Sequence, residues 1–310
     1  IAVCVKQIPD PATPYELDPE NHWVVRPDDQ VLDDTDRYGV EVALQLAEAS
    51  EGTVTLFSMS PSGSLQGIRQ ALAMGADKAV VIADPSLQGA DALLTAKVLS
   101  AAMAREEFDL VIAGTESTDG YSGVVPQMMS ELLDLPCLTF ARKVDAGDGS
   151  VTVERQTAAG YDVVTAPLPA LLSVTSGILE PRYPTFKGIM QAKSKPIDTT
   201  TAADLGVEVV SDQRIVSVDE VAARAAGEVV EDEGATVGAD QRAEGRGSSR
   251  RGQCVACIEL MDGGRSVLTE SGERFVRTGS EVEDVDVAEG ACLRHQLECA
   301  RVEGSVQFFC

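Results

Sequence analysis

The sequence predicts an α/β protein built on a parallel sheet, and two observations carry that reading. Over the first ~140 residues, short apolar, β-branched runs alternate with longer stretches of helical periodicity, the pattern of successive βαβ units. After Pro136 the pattern changes to period-two alternation, which adds strands of a different kind.

The predicted buried strands are Ile1–Val5, Thr53–Phe57, Lys78–Ile82 and Leu110–Ala113, each short and apolar enough to be covered on both faces. Between the first two, Val40, Ala43, Leu44 and Ala47 recur at helical spacing behind Asp33-Asp34-Thr35-Asp36, an acidic start that caps a helix and suits its dipole. Helices over Leu65–Met74, with Gly75 as the stop, and over Ala90–Arg105 repeat the arrangement. Val151–Arg155 and Asp162–Thr165 alternate as half-exposed strands, and Pro169–Val174 reads as a buried one. Two prolines then shape an irregular loop, Glu180–Lys193, before a helical turn through Ile189 and Met190. Beyond Gly234 the composition shifts to Gly, Arg, Glu and Ser with little periodicity, and an irregular tail is expected.

Composition narrows the function. No apolar run approaches the ~20 residues of a membrane span, and the chain opens on Ile1-Ala2-Val3-Cys4-Val5 without an export-type leader, so no membrane insertion is expected. Fifty acidic against 25 basic residues give a formal charge of −25, which opposes binding to nucleic acid. Cys4 and Cys137 lie in apolar strands and read as small core residues. The other five cysteines crowd the C-terminal end, so no disulfide framework spans the chain and a reducing compartment is expected. Cys254-x-x-Cys257 with Cys292-x-x-His295 imitates a zinc site, but the gap is too long for the common fingers and no metal is expected.

The segment Leu110–Met129 is the most informative. A buried strand empties into a loop rich in Gly, Ser and Thr that leads to a helix, the place where α/β sheets collect ligands. Glycines let backbone approach a phosphate, and the free N–H groups of the next helix start supply donors. Asp119 repels phosphate, so its expected work is to fix the loop or accept from a ribose or adenine group. An ordinary strand-to-helix connection remains the alternative reading of the spacing. The Walker, dinucleotide-fingerprint and nucleophile-elbow motifs are all missing. The histidines are His22 and His295, which leaves His-based acid–base catalysis without a constellation.

Several segments taken together resemble the beta subunit of electron-transfer flavoproteins, the FixA-type family, over residues 1–234. They are Val5-Lys6-Gln7-Ile8-Pro9-Asp10, Ala71–Asp77, Asp119-Gly120-Tyr121-Ser122-Gly123, Leu168-Pro169-Ala170, Glu180-Pro-Arg-Tyr183 and Ile189-Met190-x-Ala192-Lys193. The resemblance implies a Rossmann-like, nucleotide alpha hydrolase-like domain with added strands over 1–200, an arm over 201–234 contacting a partner subunit, and an out-of-family tail over 235–310. It implies a heterodimer with an alpha subunit that holds most of the contacts to a redox-active FAD, while this chain binds a structural AMP.

Carried over to matching positions, the AMP site comprises Cys4, Asp33, Asp34, Thr35, Asp36, Met59, Asp119, Gly120, Tyr121, Ser122, Gly123, Val124, Val125, Pro126 and Gln127. Relatives often have Asn-Pro at Asp33-Asp34. Glu180, Pro181, Arg182, Tyr183, Pro184, Thr185, Phe186, Ile189 and Met190 are similar to the family's recognition loop, with Phe186 at its tip, a large rigid side chain suited to anchoring a small interface. Asp162 is similarly placed to contact the mobile flavin domain, although Thr157-Ala158-Ala159-Gly160 departs from the family pattern there.

The implied activity is electron carriage rather than catalysis. Acyl-CoA or other dehydrogenases, as in fatty acid beta-oxidation, reduce the FAD, and a membrane quinone oxidoreductase accepts the electrons. The expected location is the bacterial cytoplasm, or the mitochondrial matrix if the source is eukaryotic. Two alternatives stand: a stand-alone adenine-nucleotide-binding sensor or hydrolase, and a bifurcating form with a second FAD in place of AMP. Residues 114–127 contain no Lys or Arg to set against phosphates, which weakens the hydrolase reading.

Overall fold

The structure, a computed structural model, describes residues 1–220 and six strand segments further on: 254–260, 265–268, 274–278, 281–282, 301–302 and 305–306. The chain divides into two units, one of residues 1–18 and 23–212 and one of residues 19–22 and 213–310.

The first unit is a nine-stranded sheet with helices on both faces. Its strands, in chain order, are β1 (Ala2–Cys4), β4 (Thr55–Ser60), β5 (Lys78–Ala83), β6 (Leu110–Gly114), β7 (Cys137–Gly147), β8 (Ser150–Thr157), β9 (Gly160–Pro167), β10 (Ala170–Val174) and β11 (Ile197–Thr200). A small separate ladder pairs β2 (Gln7–Pro9) with β3 (Gln30–Leu32). The sheet order is β11-β5-β4-β1-β6-β10-β7-β8-β9, parallel from β11 to β7, with β8 and β9 added antiparallel. The α/β parallel-sheet expectation therefore holds, as does the switch to added strands.

Order within the sheet follows from what each strand buries. Val3, Leu56, Leu110 and Ile112 point into one core with α1 (Asp34–Ser50) and α2 (Gln66–Met74). Ala2, Phe57 and Val111 point into the other with α3 (Ala92–Met103) and α4 (Val125–Leu133). Strands apolar on both faces are what a doubly covered sheet demands. The succession moves outward from β1 to β4 and β5, then returns through α3 to β6 on the other side of β1. That reversal opens a crevice between the C-terminal ends of β1 and β6.

Three details differ from the sequence reading. Strand β10, expected among the added strands, is a central parallel one between β6 and β7. The long β7 and the edge strand β11 were not anticipated; β7 is half-exposed with an irregular burial pattern, and β11 is short and polar. The helix expected over Ala90–Arg105 is shorter, because Asp91 caps it by accepting from the Leu94 N–H at 2.8 Å.

In the second unit, β12 (Gln213–Glu220) pairs antiparallel with Cys254–Leu260, which pairs in turn with Arg265–Leu268, and Arg274–Thr278 and Glu281–Val282 extend that sheet. Most of the expected irregular tail lies outside the described residues, as do Cys292, His295 and residues 221–234 of the expected arm; the described parts of the tail are strands. No helix of the described residues is long and apolar enough to cross a membrane.

Candidate functional site

The crevice is floored by carboxylates. Asp33, fully buried, is the N-cap of α1: one oxygen accepts from the Thr35 N–H at 3.0 Å and its hydroxyl at 2.9 Å. The other oxygen accepts from the Thr118 N–H at 2.7 Å and hydroxyl at 3.1 Å. A single side chain thus ties the start of α1 to the loop after β6, and Thr35 adds a bond to the Glu116 carbonyl at 3.2 Å. Asp36, one turn into α1 and also buried, accepts the Lys6 N–H at 2.6 Å. Burial, then the neighbouring Asp33, push its pKa well above the ordinary value. At the end of β6, a Cβ on Gly114 would sit 2.9 Å from an Asp36 oxygen, so a side chain there would force this buried carboxyl to shift.

The other half of the network comes from distant sequence. The Asp119 side chain is fully buried and receives Lys6 Nζ at 2.6 Å on one oxygen and the Arg26 guanidinium on the other. Burial alone would raise its pKa, but Lys6 and Arg26 outweigh it and hold the carboxylate down to about 2. Lys6 also donates to Ser117 Oγ at 3.1 Å, and Arg26 to the Gln7 carbonyl at 3.2 Å. Asp119 thereby ties its loop to Lys6 and Arg26. The absence of Lys and Arg between 114 and 127 does not leave the loop without cations: Lys6 and Arg26, missed by the sequence reading, arrive from the loop after β1 and from the segment before β3. The landmark Val5-Lys6-Gln7 was the available signal for the first; nothing local marks the second.

The loop ends at α4. Tyr121 (φ 47°) and Gly123 (φ 64°) turn it through left-handed conformations, and Tyr121 and Val124 stand exposed. The start of α4 has no side-chain cap, Pro126 lies in its first turn, and among the described residues the buried Gln127 Oε1 has no hydrogen-bond partner. Uncapped first-turn N–H groups with an orphaned amide oxygen beside them suit a phosphate-bearing nucleotide. Cys4 and Met59, at the ends of β1 and β4, pack partly buried on the α3–α4 side; burial and Asp36 push the Cys4 thiol up to about 12. Among the expected lining residues Asp34 stands apart: its side chain is 76% exposed and lies 3.4 Å from Arg37.

The family model for the electron transfer flavoprotein domain matches residues 22–205. The electron transfer flavoprotein subunit beta of Mycobacterium bovis is 41% identical over 249 residues, covering 76% of this chain and 93% of that one. The chain belongs to the electron transfer flavoprotein family, as a beta-type subunit. The subunit of the same name from Thermoanaerobacterium thermosaccharolyticum is 35% identical over 210 residues, 67% of this chain and 80% of its own. Caffeyl-CoA reductase-Etf complex subunit CarD of Acetobacterium woodii is 32% identical over the same shares. As an electron transfer flavoprotein beta subunit, the chain is a component of an electron carrier with an alpha-type partner.

The segment resembling the family's recognition loop lies elsewhere on this unit. Arg182 donates to both oxygens of Glu41 at 2.7 and 3.0 Å and to both of Glu48 at 2.5 and 3.2 Å, while its own N–H reaches Glu41 at 3.1 Å. Glu41 is 4% exposed in its side chain; burial opposes its ionisation, and Arg182 overrides that to lower its pKa. Thr185 caps α5 (Phe186–Ala192) by accepting the Gly188 N–H at 3.0 Å. Phe186 is 82% exposed and Tyr183 78%, with Ile189 and Met190 about half exposed, so Phe186 does not cover a core of its own unit. Asp162 is exposed on β9, in register opposite Arg155.

Proposed function

We propose that this chain is the platform and docking subunit of a heterodimeric electron transfer flavoprotein. Its alpha subunit holds most of the contacts to FAD, dehydrogenases reduce that flavin, and a membrane quinone oxidoreductase or similar acceptor takes the electrons on. The observation that carries the docking role is the cluster of exposed Tyr183, Phe186, Ile189 and Met190 on a segment bolted down by Arg182. Exposed aromatics on an ordered backbone are the anchors that small, quickly released interfaces use.

Structural AMP is the ligand proposed for the crevice. Free N–H groups at the start of α4 would take the phosphate, and Gln127 offers an acceptor to the nucleoside. The group supplies no chemistry of its own; it would satisfy the buried polar groups there. Asp33 through Thr118, and Asp119 through Lys6 and Arg26, fix the start of the loop that runs to Gln127, with Cys4 and Met59 as an apolar wall beside the carboxylate floor. The hydrolase alternative lacks support, because Lys6 and Arg26 are both engaged with Asp119. The bacterial relatives support a cytoplasmic location.

The test is to co-express the full chain with its alpha-type subunit, record the flavin spectrum and identify the nucleotide released on denaturation. A yellow complex carrying FAD and AMP is the expected result, and two FAD would point to bifurcation. A colourless lone protein that hydrolyses ATP would overturn the proposal.

A further inference from the structure

Arg182 holds the docking segment at its front; the structure also carries a second fastening behind it. Gly188 of α5 lies directly on α2: a Cβ there would meet the Ala73 carbonyl oxygen at 2.4 Å. The two helices then exchange caps. Lys195, just past α5, donates Nζ to the carbonyls of Leu72, Gly75 and Ala76 at 3.0, 3.0 and 2.6 Å, covering the C-terminal end of α2 with all three ammonium protons. Arg69 of α2 returns the favour at the end of α5, donating to the Ala192 carbonyl and to that of Lys195 at 3.2 Å. Each cation sits at the negative end of the other helix's dipole, where charge of this sign is favourable.

We propose that Lys195, Arg69 and Gly188 are positioning residues for partner docking, which preset the orientation of α5 so that Phe186, Ile189 and Met190 meet a dehydrogenase without a preceding ordering step. The proposal rests on the docking reading of Phe186. Alone, a seven-residue helix is too short to hold itself in water. Its apolar side chains face solvent, and of its own residues Ala192 is the buried one. The order of the docking face is therefore imposed from α2. Loss of that order would weaken encounter with a partner, because side chains and backbone would be immobilised at the moment of binding. It would leave electron transfer within the formed complex alone.

The experiment uses the full chain assembled with its alpha subunit and a purified acyl-CoA dehydrogenase reduced by its acyl-CoA as the probe. Lys195→Met is compared with Lys195→Arg, with Gly188→Ala, with Phe186→Ala, and with Leu94→Val as a control that loosens the opposite face of the sheet. Hydrogen exchange should quicken over 186–195 in Lys195→Met and Gly188→Ala, and KM for the dehydrogenase should rise about fivefold to tenfold with kcat held within about twofold. Lys195→Arg should recover most of the affinity, and Leu94→Val should leave KM in place. Unchanged exchange over 186–195, or an unchanged KM in both Lys195→Met and Gly188→Ala while Phe186→Ala raises it, overturns the positioning role alone. An unchanged KM in Phe186→Ala overturns the docking reading itself.

Discussion

The crevice floor and the docking segment solve opposite problems. At the crevice, charge is taken inside: Asp33, Asp36 and the Asp119 carboxylate are buried, and each has its partners supplied at short range. At the docking segment, apolar surface is left outside, and charged groups beneath it keep the backbone in place. The contrast teaches where each region is fragile. Removing a partner from the floor strands a desolvated group, which is expensive, whereas removing an exposed aromatic from the docking face strands nothing.

The largest effect is expected at Asp33. Asp33→Ala removes the α1 cap and leaves the Thr35 and Thr118 donors without their acceptor, so stability should fall by about 3 kcal/mol in chemical denaturation. A loss below about 1 kcal/mol would mean that water replaces the carboxylate and that the floor is not dry.

Asp119→Asn comes next, at about 2 kcal/mol, because its two cations are only partly exposed and lose their counter-charge. The wild-type pair also predicts a pH dependence. A carboxyl held down to about 2 from an ordinary 3.8 lends stability that is fully present above about pH 4 and is lost as pH falls toward 2. Unfolding curves of wild type and Asp119→Asn should therefore converge near pH 2; parallel curves would remove the ion pairs from the account. Asp36 has the reverse sign, since a carboxyl whose pKa is raised by burial and by Asp33 costs stability as pH rises, so the stability of Asp36→Asn relative to wild type should improve with rising pH.

Arg182→Met should cost about 1–2 kcal/mol by leaving Glu41 buried without its counter-charge, an effect tempered because Gln45 still donates to Glu41 and because Arg182 and Glu48 are partly in water. Smallest of all, Phe186→Ser should leave the unfolding midpoint within about 0.5 kcal/mol of wild type while weakening dehydrogenase docking. A large stability loss there would show that the ring packs on something in the native protein and would end the contrast between the two regions.

Local physics made much of this molecule legible before its fold was known. Runs such as Leu110–Gly114 are strands because β-branched and apolar residues buried on both faces have few other places to go. Asp33 was readable as a cap because a short acidic side chain before a helix has a nearby orphan N–H to accept. By itself, then, the sequence determined the α/β class, the first three βαβ units, the loop between β6 and α4 and the segment that carries Phe186.

Tertiary structure decided the rest. Long β7 hid behind an irregular mix of Thr, Arg, Lys and Asp that pairing with β10 and β8 stabilises, and β11 is too short and polar to announce itself. Arg26 meets Asp119 across 93 residues of sequence, and Lys195 meets the end of α2 across about 120. Such partners are set by which strand ends the topology brings together, and a long cation leaves no periodic trace of where it will land. Local propensity is written in neighbouring residues, whereas the pairing of buried charges depends on contacts that exist only once the sheet has formed.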